Sequence, residues 1–135
     1  PQATAQNILI TKELDSDLPQ VKVDAQQVHQ ALMNIILNSL EAMPKGGKLK
    51  VSSVHDQRDE AVKIEITDTG YGIPEDNLPY LFDPFFSSKP EGKGTGLGLS
   101  IVYEIIDEHN GSIEVKSEVD KGTTFIVKLP IHKEI

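Results

Sequence analysis

The sequence predicts an α/β fold, a two-layer sandwich in which a mixed β-sheet of about five strands carries helices on one face. Two stretches that lack glycine and proline show helical apolar spacing, and five or six shorter segments alternate apolar with polar residues, as strands do. Both kinds of element have an apolar face that needs covering. Packing the helices on one side of the sheet buries both faces in a single core.

The first half of the chain is predicted to run strand, strand, helix. Residues 7–14 alternate as a strand, and a shorter strand follows at residues 21–23. Asp24 is a suitable N-cap for a helix from Ala25 to about Met43. The apolar residues of this helix fall on two sides, which predicts that both sides are buried. One side carries Val28, Leu32 and Ile35, and the other carries Met33, Leu37 and Leu40.

The second half begins after the proline and glycines of residues 44–47. Two alternating strands follow at residues 48–54 and 62–67, with Ile64 and Ile66 facing the core. Residues 74–90 contain four prolines, too many for a long helix, which predicts short turns and a mobile loop. The last elements are a helix at residues 99–109 that ends at Asn110-Gly111, and a hairpin of residues 112–119 and 123–129.

Composition limits the possible functions. At 135 residues the chain has the size of one domain. Its formal net charge of -8 argues against wrapping nucleic acid or lying on an anionic membrane. It has no cysteine, which excludes disulfides, thiolate metal sites and thiol nucleophiles and suits a reducing compartment. If the chain binds phosphates, it has to gather a few cations and backbone amides locally, and it needs a metal ion.

The most informative stretch is residues 92–99, in which every second residue is a glycine. The unshielded N–H groups of such a run can wrap a polyphosphate, and the loop leads into a helix N-terminus, which favours an anion. A flexible linker is the alternative, but linkers of this type are polar, whereas Leu97 and Leu99 interleave here. The spacing matches neither of the two familiar glycine motifs for phosphates, so another nucleotide-binding architecture is predicted.

Asparagine and aspartate side chains could complete such a site. Asn34 and Asn38 lie one helical turn apart. Taken alone they are expected to bond neighbouring turns, but beside a phosphate loop their oxygens suit Mg²⁺. Asp68 follows a buried strand and precedes Gly70 and Gly72, so its carboxylate could accept from the amine of adenine while a flat ligand approaches the backbone. A simple Asp-x-Gly turn is the alternative.

Two lysines, the histidines and a cluster of phenylalanines are the other polar and aromatic candidates. Lys89 and Lys93 could meet phosphate oxygens, although exposed loop lysines are usually only solvated. The four histidines show no metal-type pairing and are interpreted as non-catalytic. Phe82, Phe85 and Phe86 are interpreted as a hydrophobic anchor for a loop, or a patch for a partner, rather than a base-stacking platform.

Five motifs in order resemble those of the catalytic and ATP-binding domain of sensor histidine kinases, in the GHKL superfamily with its Bergerat fold. Together they cover nearly the whole chain and are highly specific. The family's N box corresponds to residues 34–38 and its first glycine box to residues 68–72. Its F box corresponds to residues 82–86, its second glycine box to residues 94–99 and its last glycine box to residues 122–125.

The resemblance implies a role for each matching residue. Asn38 would ligate Mg²⁺ and, with Asn34 and Lys89, would serve catalysis by positioning the γ-phosphoryl group of ATP. Asp68 would recognise adenine, with Thr123 nearby through water, and residues 87–98 would form the ATP lid. The implied nucleotide-binding residues are Asn34, Asn38, Asp68, Gly70, Gly72, Ile73, Lys89, Lys93, Gly94, Thr95, Gly96, Leu97, Gly98, Leu99 and Thr123.

The residue type at position 34 bears on which group accepts the phosphoryl group from ATP. DNA gyrase and the anti-sigma serine kinases of this superfamily carry a Glu there, which acts as a base on water or a hydroxyl. A neutral imidazole, with a pKa near ~6.5, already presents a lone pair and needs no base. The resemblance with Asn34 therefore implies transfer to histidine. Glu41 departs from the Lys or Arg that many sensor kinases carry there, so the lid lysines would supply more of the phosphate contact.

The resemblance also implies partners. The accepting histidine would lie on a separate dimerisation domain of the same kinase, so residues 1–6 are interpreted as the linker from that domain and residues 7–135 as the catalytic domain. We expect a response regulator as a further partner, a monomeric fragment in the cytoplasm of a parent that can be membrane-anchored, and no contact with nucleic acid or membrane. The alternatives are a stand-alone ATPase or serine kinase, and a nucleotide-sensing module without chemistry.

Overall fold

The computed structural model describes residues 7–14, 23–83 and 98–131. The strands are β1 (Ile8–Leu14), β2 (Gly47–Asp56), β3 (Ala61–Asp68), β4 (Ser112–Glu118) and β5 (Gly122–Pro130). The helices are α1 (Ala25–Glu41), α2 (Gly98–Glu108) and a 3-10 helix (Glu75–Tyr80). Of the short strand predicted at residues 21–23, the first two residues lie outside the described ranges and Val23 is not in a strand.

The strands form one mixed sheet in the order β1-β2-β3-β5-β4. Strand β1 runs parallel to β2, and the other neighbours are antiparallel. In the centre of the sheet, Ile66 pairs with Val51 on one side and Phe125 on the other. These three side chains therefore share the inner face of the sheet, because successive residues of a strand point to opposite faces.

Both α-helices contribute to the core on that inner face. The core includes Ile35 of α1, Ile106 of α2 and Ile66 and Phe125 of the sheet, all at most 1 % exposed. Ile64 is half-buried against the same core, so the predicted shared face of Ile64 and Ile66 is confirmed. The α/β two-layer sandwich is confirmed as well. In the ranges that the structure describes, no helix is long and apolar enough to cross a membrane.

The prediction that α1 is buried on two sides is wrong. Val28 and Ile35 are buried, but Met33 and Leu37 on the other side are 38 % and 39 % exposed. A helix that lies in the outer layer of a sandwich contacts the sheet along one strip only. Leu40, on the same predicted side as Met33 and Leu37, is 6 % exposed and belongs to the core, near the end of α1.

The predicted ends of the elements are confirmed. The Asp24 carboxylate accepts hydrogen bonds from the N–H groups of Gln26 and Gln27, as an N-cap does. Helix α2 is followed by Asn110 in the left-handed region, with a φ of 60°. The Gly111 N–H then donates to the Ile106 carbonyl at 2.9 Å, which is typical of a helix C-terminus.

The proline-rich segment contains the 3-10 helix and the start of the predicted aromatic anchor. Phe82 packs against the core, and its ring centroid is 5.7 Å from that of Tyr103 on α2. This contact agrees with the prediction that Phe82 is part of a hydrophobic anchor for the loop. Phe85 and Phe86 lie outside the described residues.

Helices α1 and α2 are linked by His109, just beyond the end of α2. Its Nε2 accepts a hydrogen bond from the Asp24 N–H at 3.0 Å, and its Nδ1 is 2.7 Å from the Ile105 carbonyl oxygen. The two neighbours assign the ring proton to Nδ1. The beginning of α1 is therefore fixed to the end of α2, and His109 has a structural role.

Candidate functional site

Asp68, the last residue of β3, lies on the inner face of the sheet rather than in solvent. Alternation places it on the same face as Ile66, and it is 2 % exposed. Its Oδ1 accepts a hydrogen bond from the Gly70 N–H at 2.9 Å. Its Oδ2 is buried and has no hydrogen-bond partner. Because a buried carboxylate oxygen without a donor is costly, Oδ2 marks a place where a donor from another molecule can be accommodated.

Burial raises the pKa of Asp68 above its ordinary value, because the charged form loses its hydration. Three neighbours act in the opposite direction and stabilise the charge: the Gly70 N–H, the Ser39 hydroxyl and the Thr123 backbone. Burial is the larger influence, so the net shift is upward. The ionisation of this carboxyl group consequently depends on a few identifiable hydrogen-bonding groups.

Ser39 brings a hydroxyl to Asp68 from helix α1. It is fully buried, and its Oγ has no hydrogen-bond partner of normal geometry. Leaving a buried polar group unpaired costs about 1–3 kcal/mol. Ser39 was not among the predicted site residues, although it continues the buried strip of Val28, Ala31 and Ile35. A polar residue at a position of this apolar strip was the available signal.

Thr123 lies opposite Asp68 in the register of β3 and β5 and is 4 % exposed. Its Oγ1 is 2.8 Å from the Oγ of Ser117 on β4, which in turn accepts a hydrogen bond from the Ile73 N–H at 2.7 Å. One serine hydroxyl therefore ties the loop that follows Asp68 to the β4–β5 hairpin. Ser117 was also not predicted, although it takes the inward position that follows Val115 on β4.

Gly70 and Gly72 allow close approach of backbone segments. A Cβ at Gly70 would lie 2.5 Å from the Ala42 carbonyl oxygen, and a Cβ at Gly72 would collide with the Glu118 carbonyl. Gly72 also has a φ of 76°, which favours glycine. Between them, the Tyr71 N–H donates to the Ala42 carbonyl at 3.1 Å. The protein's own backbone requires both glycines here, and their contact with a ligand stays a prediction.

Asn34 and Asn38 lie one turn apart on α1, and both are half-buried. The Nδ2 of Asn34 is 3.5 Å from the carbonyl oxygen of Gly98, the first residue of α2. Ser39, which stabilises the charge of Asp68, directly follows Asn38. The structure therefore brings the two asparagines, the start of α2 and the buried carboxylate to the same end of α1.

Most of the predicted phosphate-binding loop lies outside the described residues. This applies to Lys89, Lys93, Gly94, Thr95, Gly96 and Leu97. Of the rest of the predicted set, Gly98 has open space where a Cβ would be, while Leu99 and Ile73 pack in or against the core.

A surface hollow of about 340 Å³ lies beside the β4–β5 hairpin, but it is not the site that joins these residues. Asp68 and Thr123 contribute to its lining, together with Thr67 and Lys116, which alternate with inward residues of β3 and β4 and so point to the outer face of the sheet. None of the residues that line it belongs to α1 or α2. The candidate site is therefore on the helical side of Asp68.

Comparison with known proteins agrees with this geometry. Residues 23–133 match the family described as histidine kinase-, DNA gyrase B-, and HSP90-like ATPase. Sporulation kinase E of Bacillus subtilis (strain 168) is 39 % identical over 132 residues, which are 98 % of this chain. The chain spans 18 % of the length of that kinase.

Solved structures give the same result. The catalytic domain of histidine kinase ThkA is 34 % identical, with a TM-score of 0.83 over 96 % of this chain and 83 % of that domain. ThkA in complex with the response regulator protein TrrA is also similar, with 31 % identity and a TM-score of 0.79 over 97 % of this chain and 36 % of that one. Full-length ShkA in complex with AMPPNP is 25 % identical, with a TM-score of 0.86 over 99 % of this chain and 28 % of that one.

The family match covers most of the chain. The sheet, the helices and the five ordered motifs of this chain agree with that match. The chain therefore belongs to the family of histidine kinase-, DNA gyrase B- and HSP90-like ATPases, as an ATP-binding domain of the sensor histidine kinase type.

Proposed function

We propose that this domain binds Mg²⁺-ATP and donates the γ-phosphoryl group to a histidine on a separate dimerisation domain, in two-component signal transduction. The observation that carries the proposal is the buried, unpaired Oδ2 of Asp68 next to the helix that presents Asn34 and Asn38. The 6-amino group of adenine is a donor of the kind that Oδ2 lacks. The 6-oxo group of guanine is an acceptor and would be repelled.

We assign the phosphates and Mg²⁺ to the end of the site formed by Asn34, Asn38 and the start of α2. A side-chain amide oxygen is a hard, neutral ligand that suits Mg²⁺ when phosphate oxygens supply the negative charge. Within the described ranges, no cluster of three His, Cys, Asp or Glu side chains could hold a metal ion. Phosphate oxygens and water would complete the ligand set of Mg²⁺. Bound Mg²⁺ would neutralise charge on the transferring phosphoryl group. Lys89 and Lys93 would add two further positive charges.

The acceptor follows from the side chain at position 34. An asparagine amide cannot take a proton from water or serine at the moment of attack, whereas a neutral imidazole attacks without that help. The contribution of this domain is then to position ATP and to stabilise the charge that develops on the γ-phosphoryl group. Hydrolysis by this domain alone should be slow.

The assignment of partners rests on the relatives. The crystallised complex of ThkA with TrrA supports a response regulator as the protein that takes the phosphoryl group onward, and the AMPPNP complex of ShkA supports an adenine nucleotide as the ligand. We place the domain in the cytoplasm, where ATP is abundant and where a protein without cysteine loses nothing to reduction.

The test supplies the parent kinase's dimerisation domain in trans, together with ATP labelled in the γ-phosphate. We expect label on that domain that is labile in acid and stable in base, as a phosphohistidine is. The matched control is the same dimerisation domain with its acceptor histidine replaced by glutamine, which should remain unlabelled.

Two results would contradict the proposal. Multiple-turnover ATP hydrolysis by the chain alone that disappears in Asn34→Ala would identify a stand-alone ATPase. Tight ATP binding without any transfer to the dimerisation domain would identify a nucleotide-sensing module.

A further inference from the structure

The hydroxyl of Ser117 takes part in three hydrogen bonds on the inner face of the β4–β5 hairpin. Its Oγ accepts from the Ile73 N–H at 2.7 Å and donates to the Gly122 carbonyl at 3.0 Å. The third bond joins the same Oγ to the Oγ1 of Thr123 at 2.8 Å, and by distance alone either hydroxyl could be its donor. The direction of this third bond decides whether Thr123 can still donate a proton to another molecule.

A count of the protons fixes that direction. The Ile73 N–H can only donate, the Gly122 carbonyl can only accept, and each of the two hydroxyls carries a single proton. If Ser117 gave its proton to Thr123, no proton would be left for its contact with the Gly122 carbonyl. All three bonds form together only when Ser117 donates to Gly122 and Thr123 donates to Ser117. The proton of Thr123 is then committed, and its Oγ1 can only accept from a further group.

Thr123 holds this acceptor beside the carboxylate of Asp68. The two residues pair across β5 and β3, and they are 4 % and 2 % exposed on the inner face of the sheet. Paired residues of neighbouring strands have Cβ atoms about 4.5–5.5 Å apart, so one polar group can reach both side chains. The Oδ2 of Asp68 has no partner, and a carboxylate oxygen can only accept. Asp68 and Thr123 therefore present a pair of acceptors.

We propose that Ser117 is a positioning residue for the selection of the base, because it takes up the Thr123 proton and so makes Thr123 an acceptor beside Asp68. This inference rests on the proposed function, since it assumes that Asp68 binds the base. The 6-amino group of adenine has two N–H donors and matches a pair of acceptors, directly or through a water molecule. The 6-oxo group of hypoxanthine or guanine is an acceptor and is repelled by both oxygens.

Removal of the Ser117 hydroxyl should reverse the role of Thr123. With no oxygen to receive it, the Thr123 proton can turn toward a 6-oxo group, while Asp68 accepts from the N1–H that accompanies such a group. The selection of adenine over a 6-oxo base should then be weaker. A role confined to holding the loop has a different effect, because a loosened Ile73 would weaken the binding of both kinds of base alike.

The experiment measures the dissociation constants of ADP and of inosine diphosphate, each with Mg²⁺, for the unmodified chain and for Ser117→Ala. We expect the unmodified chain to prefer ADP, and this preference to fall about fivefold in Ser117→Ala, as one new hydrogen bond to the 6-oxo group predicts. Ser117→Ala should also melt at a lower temperature, because the Ile73 N–H loses its partner. That loss is common to both nucleotides and cancels in the ratio of their affinities.

A double-mutant cycle tests whether the effect of Ser117 passes through Thr123. In a Thr123→Val chain there is no hydroxyl to turn, so adding Ser117→Ala should leave the ratio of the two affinities unchanged. Ser112→Ala, at an exposed serine of the same strand, is the matched control and should keep the ratio of the unmodified chain. If Ser117→Ala does not fold, Ser117→Cys takes its place with the same expectation, because a thiol is a weak acceptor.

Three results would overturn the inference and leave the proposed function intact. They are equal affinities of the unmodified chain for the two nucleotides, a preference for ADP that is the same in Ser117→Ala, and a change of the ratio when Ser117→Ala is added to Thr123→Val. Failure of the unmodified chain to bind ADP would instead refute the proposed function, and the role of Ser117 with it.

Discussion

At the scale of single residues, Asp68 shows a conflict between stability and binding. A carboxyl group buried with one unpaired oxygen destabilises the ligand-free fold, since the neighbouring hydrogen-bonding groups replace only part of the hydration that its charge has lost. The folded state therefore holds a proton on Asp68 more tightly than the unfolded state does. Stability accordingly falls as the pH rises from the unfolded value of 3.8 through the raised value of the folded chain, and the penalty is complete above it.

We predict that Asp68→Asn weakens AMPPNP binding about 10- to 100-fold and at the same time stabilises the ligand-free chain at neutral pH. The affinity falls because a charged acceptor for the 6-amino group is lost. The stability rises because the amide can keep the bond from Gly70 without a buried charge. Calorimetric titration and thermal unfolding at several pH values measure the two effects, with Asp76→Asn on the exposed 3-10 helix as the control.

The stability gain should vanish below about pH 4, where the native carboxyl group is also neutral. An Asp68→Asn chain that binds AMPPNP with unchanged affinity would remove this residue from the base site.

At the scale of elements, the sequence predicts best what local chemistry decides. Asp24 as the N-cap, Asn110 in the left-handed region and the β4–β5 hairpin depend on neighbouring residues, and all three are confirmed. The burial of Met33 and Leu37 was predicted wrongly, because apolar spacing shows which sides of a helix could be buried but not how many neighbours the fold provides.

The site itself could be predicted only in part, for a related reason. Asp68, Asn34 and Asn38 lie in recognisable motifs, and the structure places them at the same end of α1. The apolar strip of α1 marks Ser39 as an unusual polar position, but the neighbours of Ser39 and Ser117 are set by the packing of α1 and by the register of β4 with β5. Such contacts join residues that are distant in the sequence, so no local pattern assigns them.

The loop between β3 and the 3-10 helix gives a prediction at this scale. Gly72→Ala should destabilise the fold by more than about 1 kcal/mol, because alanine disfavours the left-handed region and the new Cβ would collide with the Glu118 carbonyl. Gly98→Ala is the matched control, since a Cβ there meets nothing within 4 Å. Denaturant unfolding measures both. Equal stabilities for the two variants would show that the loop can move away from β4 at little cost.

At the scale of the whole molecule, an acidic domain has to bind an anion. With a net charge of -8, the chain repels a polyphosphate at long range, so affinity has to come from local amides, lysines and a divalent cation. The unfolded chain does not bring these groups together, so the nucleotide binds only the folded domain. Nucleotide binding therefore raises the free energy of unfolding.

We predict that AMPPNP with Mg²⁺, at about 100 times its dissociation constant, stabilises the fold by about 2.7 kcal/mol, which corresponds to a rise of about 10 °C in melting temperature. Asn38→Ala should remove the part of this shift that depends on Mg²⁺. Gln30→Ala, an exposed amide on the same helix, should not. If the Mg²⁺ dependence survives in Asn38→Ala, this residue is not a ligand of the metal.

The two links between the α-helices have a mechanical consequence. Asp24 at the beginning of α1 is fastened to His109 beyond the end of α2, and Asn34 further along α1 lies against Gly98 at the beginning of α2. Because α1 and α2 are joined by hydrogen bonds at two separated points, these contacts oppose sliding or rotation of one helix relative to the other. A displacement at the start of α2 would then reach α1 through Asn34, in the half of that helix that also carries Asn38.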